Sequence, residues 1–159
     1  MQIILIRHGQ AEALSTTDAE RILTPVGEWQ AQQTAAWLAN QGYQLDGLFA
    51  SPYKRAQQTA RYVEDALDIP LTTCKLLTPD SDPVAMVNWL DQLDLPDNSV
   101  IALVCHMPIV GRLASYFLAG SAKHDLGFYL AEAKIIDSVM LAPGLGKTRI
   151  QFVPPTHPL

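Results

Sequence analysis

Two arginines and two histidines in this sequence have the chemistry needed to bind and transfer a phosphoryl group. They are Arg7, His8, Arg55 and His106. Arginine presents planar, forked donors that match phosphate oxygens, and a histidine beside two arginines is kept neutral by their like charge, so that it stays nucleophilic near pH 7. Phosphoryl transfer depends mainly on positioning and on stabilising charge at the equatorial oxygens. The set therefore indicates a phosphoryl-transfer site.

The same histidines do not have the pattern of a metal site. Neither His8 nor His106 has a histidine or cysteine partner at helical spacing. Cys74 and Cys105 both lie in apolar runs, which predicts two buried, reduced thiols. We therefore expect no metal and no cofactor.

The elements that must position these residues alternate between strand and helix. Apolar runs predict strands, and a capping residue or a proline predicts the start of each helix. The predicted strands are residues 2–6, 46–50, a segment within 69–77, 100–105, 135–141 and 148–153; the predicted helices begin at Thr24-Pro25, Ser51-Pro52, Asp82-Pro83 and Pro108.

This alternation predicts an α/β fold, a single-domain three-layer sandwich. Its central sheet is mostly parallel, with helices on both faces and an antiparallel edge strand. Sites in such sheets lie beyond the carboxyl ends of the strands. Since Arg7 and His8 follow the first strand, Arg55 lies one turn into the helix after the second, and His106 follows the fourth, all of them should meet at one edge.

Length and charge limit the partners of this domain. The 159 residues fit one domain, which we place at 1–154 with a tail at 155–159, acting as a monomer. The net charge of −5 argues against non-specific nucleic-acid binding. The apolar run at residues 3–6 is too short for a signal peptide or a membrane span, so we expect a cytoplasmic protein with no membrane partner.

Four ordered segments over residues 1–118 resemble the histidine phosphatase superfamily, also called phosphoglycerate-mutase-like. The first is Arg7-His8-Gly9, directly after the first predicted strand; the others are LTPVGEWQA at 23–31, SPYKRAQQTA at 51–60 and VCHMPI at 104–109. The resemblance implies that His8 is phosphorylated during turnover. It also implies that Arg7, Arg55 and His106 bind the phosphoryl group, with Gly9 in the same pocket.

Within the superfamily, the compact chain and its opening MQIILIRHGQAE resemble the small SixA-type phosphohistidine phosphatases. The predicted strand–helix connections are short, which leaves little chain to build a lid. An uncovered site could admit a phosphorylated side chain carried by another protein. We therefore expect a protein phosphohistidine as substrate, with a histidine phosphotransfer domain of a signalling relay as the partner.

The sequence departs from the superfamily pattern at the general acid. Superfamily members that cleave esters protonate the leaving oxygen with a carboxylic acid, which in one branch directly follows the second histidine; here that residue is Met107. Asp80 and Asp82 follow the third predicted strand and are the candidates, although Asp82 also suits a helix N-cap. Glu12 and Asp18 are more distant candidates. A phosphohistidine needs a strong acid less than an ester does, because its leaving imidazole accepts a proton readily.

Two alternatives remain open on the sequence. One is a phosphatase for small monoesters, such as sugar or cofactor-precursor phosphates, with Asp80 or Asp82 as the general acid. The other is a non-catalytic phosphate-binding scaffold domain. A mutase is disfavoured, because it needs an enclosing lid to protect the phosphoenzyme from water.

Overall fold

A computed structural model describes residues 1–13 and 16–156, so that residues 157–159 of the predicted tail lie outside the described part. Within these residues the chain forms six strands and four α-helices. The strands are β1 (Gln2–Arg7), β2 (Gly47–Ala50), β3 (Leu71–Thr73), β4 (Val100–Cys105), β5 (Ala133–Asp137) and β6 (Lys147–Phe152). The helices are α1 (Pro25–Asn40), α2 (Lys54–Leu67), α3 (Pro83–Gln92) and α4 (Ile109–Ala119).

The six strands form one sheet in the order β3-β2-β4-β1-β5-β6. The strands β1 to β4 are mutually parallel, and β5 runs antiparallel to both of its neighbours. The predicted mixed sheet with an antiparallel edge pair is therefore confirmed.

Alternate residues of the central strands enter two separate cores, because successive strand side chains point to opposite faces. Ile3 and Leu5 pack in a core that includes residues of α3 and α4. Ile4 and Ile6 pack in a second core that includes residues of α1 and α2. These cores make the predicted three-layer sandwich and explain why β1 is apolar throughout.

Two predicted helix starts are confirmed by their caps. The Thr24 hydroxyl accepts a hydrogen bond from the Gly27 backbone N–H at 3.0 Å, at the start of α1. The Asp82 carboxylate accepts one from the Val84 N–H at 2.9 Å, at the start of α3. No described helix is long and apolar enough to cross a membrane.

Two predicted boundaries were wrong, and one predicted strand proved short. The helix expected at Ser51-Pro52 begins only at Lys54, because the Ser51 N–H still pairs with the Val104 carbonyl at 3.1 Å and continues the sheet. The strand expected within 69–77 is confirmed at Leu71–Thr73, and it is short because a 3₁₀ turn at Lys75–Leu77 follows it and buries Leu77. The strand expected over 135–141 ends at Asp137, where a turn begins with the Ser138 hydroxyl donating to the Met140 carbonyl at 2.7 Å.

Candidate active site

The site begins with the pairing of β1 and β4, which are neighbours in the sheet. Arg7 lies opposite Cys105, and the His8 N–H donates to the Cys105 carbonyl at 3.0 Å. His8 and His106 therefore leave the sheet side by side at its carboxyl edge, with ring centroids 5.1 Å apart.

The hydrogen bonds of His8 determine which of its ring nitrogens carries the proton. Its Nδ1 lies 2.7 Å from the Gly9 carbonyl oxygen. Because a carbonyl only accepts, Nδ1 carries the proton and Nε2 keeps a lone pair. The Arg55 Nε–H donates to that Nε2 at 3.3 Å. Burial, together with the charges of Arg55 and Arg7, lowers the pKa of His8 to about 3, so that the ring is neutral at pH 7.

Close backbone contacts fix the turn that carries His8. The Gly9 N–H donates to the Thr59 hydroxyl at 3.1 Å. A Cβ on Gly9 would collide with the Gly27 carbonyl, and a Cβ on Gly27 would collide with the Gln10 carbonyl. Two glycines are therefore needed where the turn after β1 lies against the first turn of α1.

Arg55 extends from the first turn of α2 and is almost fully buried. Besides the bond to His8, its Nη1 donates to the Asp18 carbonyl at 2.6 Å and its Nη2 to the Asp18 carboxylate at 3.1 Å. Arg21 donates to the same carboxylate at 2.8 Å. Hydrogen bonds from Arg21 and then Arg55 lower the pKa of Asp18. An ionised Asp18 fits a role in holding Arg55 better than a role as proton donor.

His106 is 1% exposed and is held from the side of β2. Its Nε2 lies 2.7 Å from the Ser51 hydroxyl oxygen, and its Nδ1 is buried without a hydrogen-bond partner among the described residues. The Tyr53 ring meets the imidazole edge-on at 5.1 Å, and the Arg55 guanidinium lies 5.2 Å from the centre of the same Tyr53 ring. Burial first, then His8 and Arg55, lower the pKa of His106 to about 2.

Arg7, the last residue of β1, completes the group. Its guanidinium donates to the Phe128 carbonyl at 2.8 Å, and its Nε is buried with no partner in the described part of the chain. Burial lowers the pKa of Arg7, whereas Asp125 raises it. Arg7 also lines a groove of about 280 Å³, together with Gln30, Phe128, Tyr129, Leu130, Val153, Pro154 and Thr156.

The structure thus brings Arg7, His8, Gly9, Arg55 and His106 together, as the sequence predicts. It does not join Asp80 and Asp82 to them: across residues 1–13 and 16–156, no hydrogen bond links either aspartate to this group. The Asp82 carboxylate caps α3, and Asp80 is exposed.

Three residues of the site were missed at the sequence level. Ser51 was interpreted as a helix cap, and Arg21 lies in a stretch without periodicity. Tyr53 had no signal beyond its position two residues before Arg55. The described residues contain no cluster of three or more histidine, cysteine or acidic side chains that could hold a metal ion.

Comparisons with known proteins agree with this arrangement. The sequence model of the histidine phosphatase superfamily (branch 1) matches residues 3–78. Phosphohistidine phosphatase SixA of Escherichia coli (strain K12) is 31% identical over 122 residues, covering 76% of each chain. This chain belongs to the histidine phosphatase superfamily. As a superfamily member with such relatives, it is a phosphatase.

Two further similarities extend over most of the phosphatase. The SixA homolog of Haemophilus influenzae is 29% identical over 140 residues, covering 82% of this chain and 84% of the relative. The solved structure of the protein histidine phosphatase SixA complexed with tungstate superposes with a TM-score of 0.84 at 26% identity, covering 96% of this chain and 97% of that one. This superposition confirms the fold.

Proposed function

We propose that this phosphatase hydrolyses phosphohistidine carried on a protein, through a covalent phosphoryl intermediate on His8. The observation that carries the proposal is the state of the His8 ring: Nδ1–H is held by the Gly9 carbonyl, and the Nε2 lone pair faces Arg55. Relatives named as phosphohistidine phosphatases support the substrate class.

The proposed reaction has two displacements. His8 Nε2 attacks phosphorus, the P–N bond to the substrate imidazole breaks, and that imidazole takes a proton from solvent as it leaves. Water then attacks the phosphorylated His8, giving inorganic phosphate and the free histidine. Arg7, Arg55 and His106 stabilise the charge on the phosphoryl oxygens in both steps. All of these side chains come from one chain, so the proposal requires only a monomer.

The surroundings of Arg7 support a protein as the carrier of the substrate. The groove that begins at Arg7 is bordered by exposed apolar side chains, with Tyr129 69% and Val153 41% exposed. An apolar surface that shares Arg7 with the proposed dianion site suits a partner that presents a phosphoryl group from its own folded surface. The proposed partner is a histidine phosphotransfer domain.

The first test is chemical trapping of the intermediate. Wild-type protein and a His8→Ala variant are incubated with a ³²P-labelled phosphohistidine protein and quenched under conditions that preserve phosphohistidine. We expect label on His8 in the wild type, and neither label nor turnover in the folded variant. Full activity of folded His8→Ala would refute the mechanism.

The second test separates a protein substrate from a small one. Tyr129→Ala should lower kcat/KM for a phosphorylated phosphotransfer domain about tenfold, because an apolar contact is lost, and should leave free phosphohistidine turnover unchanged. Met140→Ala, an exposed apolar residue outside this groove, is the matched control. Equal effects of Tyr129→Ala on both substrates would contradict docking at this groove.

The small-ester alternative is tested through the two aspartates. Asp80→Asn, Asp82→Asn and the double variant should each keep phosphohistidine turnover within tenfold of the wild type, because the leaving imidazole is protonated without a strong acid. A missing general acid in ester cleavage costs about 10²–10⁴-fold. Such a loss in the double variant, or a sugar phosphate with higher kcat/KM than any phosphohistidine protein, would favour the ester phosphatase.

A further inference from the structure

We propose that Ser51 is a positioning residue, which holds His106 as the tautomer with its proton on Nδ1 so that this N–H faces the phosphoryl group. The inference rests on the proposed function in one respect, that the site receives a phosphoryl group. Ser51 itself is not one of the residues expected to touch that group.

Ser51 is fully buried and is fixed on three sides. Its backbone N–H donates to the Val104 carbonyl at 3.1 Å, and its own carbonyl accepts from the Gln57 side-chain amide at 2.8 Å. The hydroxyl oxygen accepts from the Tyr53 N–H at 3.3 Å and lies 2.7 Å from His106 Nε2. These hydrogen bonds therefore hold the backbone of Ser51 in place and its hydroxyl beside His106.

The proton on the Ser51 hydroxyl decides the tautomer of His106. A hydroxyl has one proton to donate, and His106 Nε2 is its one acceptor among the described residues. If Nε2 carried the proton instead, both the buried Ser51 proton and the Nδ1 lone pair would lack a partner among the described residues, whereas the other tautomer leaves only the Nδ1 proton without one. The favoured arrangement has Ser51 donating to Nε2, which places the ring proton on Nδ1.

That proton then has no acceptor within the described part of the chain, because His106 Nδ1 is buried there without a hydrogen-bond partner. A phosphoryl oxygen would supply the acceptor, whereas an unprotonated Nδ1 would turn a lone pair toward the same oxygen and repel it. His8 and His106 are thus held in complementary states: His8 offers a lone pair, and His106 offers a proton.

The test reads the tautomer directly, by ¹⁵N NMR of the two His106 ring nitrogens in labelled protein without substrate. We expect the wild type to show a protonated Nδ1 and an unprotonated Nε2. In Ser51→Ala the preference for Nδ1–H should be lost, and Ser51→Thr, which keeps the hydroxyl, should restore it. Ser99→Ala is the matched control, because Ser99 is equally buried and its hydroxyl has no partner among the described residues.

A second measurement links the tautomer to the site. Tungstate binding, followed by calorimetry at pH 7, should weaken about tenfold or more in Ser51→Ala, as expected for a lost charge-assisted hydrogen bond, and should stay unchanged in Ser99→Ala. A wild-type His106 protonated on Nε2 would overturn the proposal even if Ser51→Ala failed to fold. So would a folded Ser51→Ala that keeps the wild-type tautomer. Neither measurement uses phosphohistidine. If phosphohistidine proves not to be the substrate, both measurements therefore still test the role of Ser51.

Discussion

The neutral rings of His8 and His106 make the stability of the folded protein depend on pH. Each imidazole takes up a proton near pH 6.5 in the unfolded chain, but only near pH 3 for His8 and near pH 2 for His106 in the folded one. Between these values the unfolded state binds more protons, so the free energy of unfolding falls as the pH is lowered. We expect a loss of about 2 kcal/mol per histidine between pH 7 and pH 5.

Urea denaturation at several pH values checks this expectation. His8→Gln should remove about half of the pH dependence, because one of the two buried rings is gone, and His124→Gln controls for replacing an exposed histidine. Stability that rises on acidification over this range would contradict the burial of neutral rings.

Arg55 should dominate the affinity for oxyanions. Its Nε already points at His8 Nε2, the atom that attacks phosphorus in the proposed reaction. An anion at about 100 times its Kd should stabilise the wild type by about 2.7 kcal/mol. In Arg55→Ala the shift in Tm with phosphate or tungstate should largely disappear, because charge-assisted hydrogen bonds contribute about 1.5–3 kcal/mol each.

Arg149→Ala is the matched control for charge in that experiment, since Arg149 pairs with Asp137 on the β5–β6 edge and leaves the site intact. The same Tm shift in Arg55→Ala and Arg149→Ala would place Arg55 outside the anion pocket.

At the scale of elements, the contact between α1 and the turn after β1 is the most sensitive to substitution. A side chain on Gly27 would collide with the backbone of Gln10, which is less able to move than a side chain. We expect Gly27→Ala to destabilise the protein by about 1–3 kcal/mol or more and to lower activity, because Gln10 lies two residues from His8. Denaturation and kcat measure the two effects.

Gly127→Ala controls for the glycine substitution, because a Cβ at Gly127 would meet nothing within 4 Å. Equal stability losses in the two variants would show that the close approach at Gly27 does not matter.

The sequence predicts most of these elements because their signals are local. The apolar run of β4 and the caps at Thr24 and Asp82 depend only on neighbouring residues, and all three agree with the structure. The wrong boundaries involve contacts across the fold: Ser51 pairs with β4 through its backbone, and β5 ends at Asp137, which pairs with the first residue of β1. Neither contact has a signature in its own segment.

The residues of the site also divide into those with a local signal in the sequence and those without one. Arg7, His8, Arg55 and His106 could be predicted because they follow strands that the topology brings to one edge. Arg21 and Ser51 could not, because the first reaches the site through its shared partner Asp18, and the second through a hydroxyl whose local pattern resembles a cap.

At the scale of the whole molecule, phosphoryl transfer should proceed without a metal ion. The guanidinium groups of Arg7 and Arg55 and the imidazole of His106 supply the positive charge and the donors that a divalent cation would otherwise provide. We expect activity to survive dialysis against EDTA. If EDTA abolished activity and a single divalent ion restored it, the metal ion would be the source of that positive charge.

The position of β4 in the sheet has a consequence for folding. Although β4 is the last of the parallel strands in the sequence, it lies between β1 and β2. These two strands are therefore joined in the sheet only when residues 100–105 pair with both of them, and closing so long a connection costs chain entropy before the contacts form. During synthesis, His8 leaves the ribosome long before the strand that brings His106 beside it. After dilution from denaturant, activity should therefore recover at the same time as β4 pairs with β1 and β2.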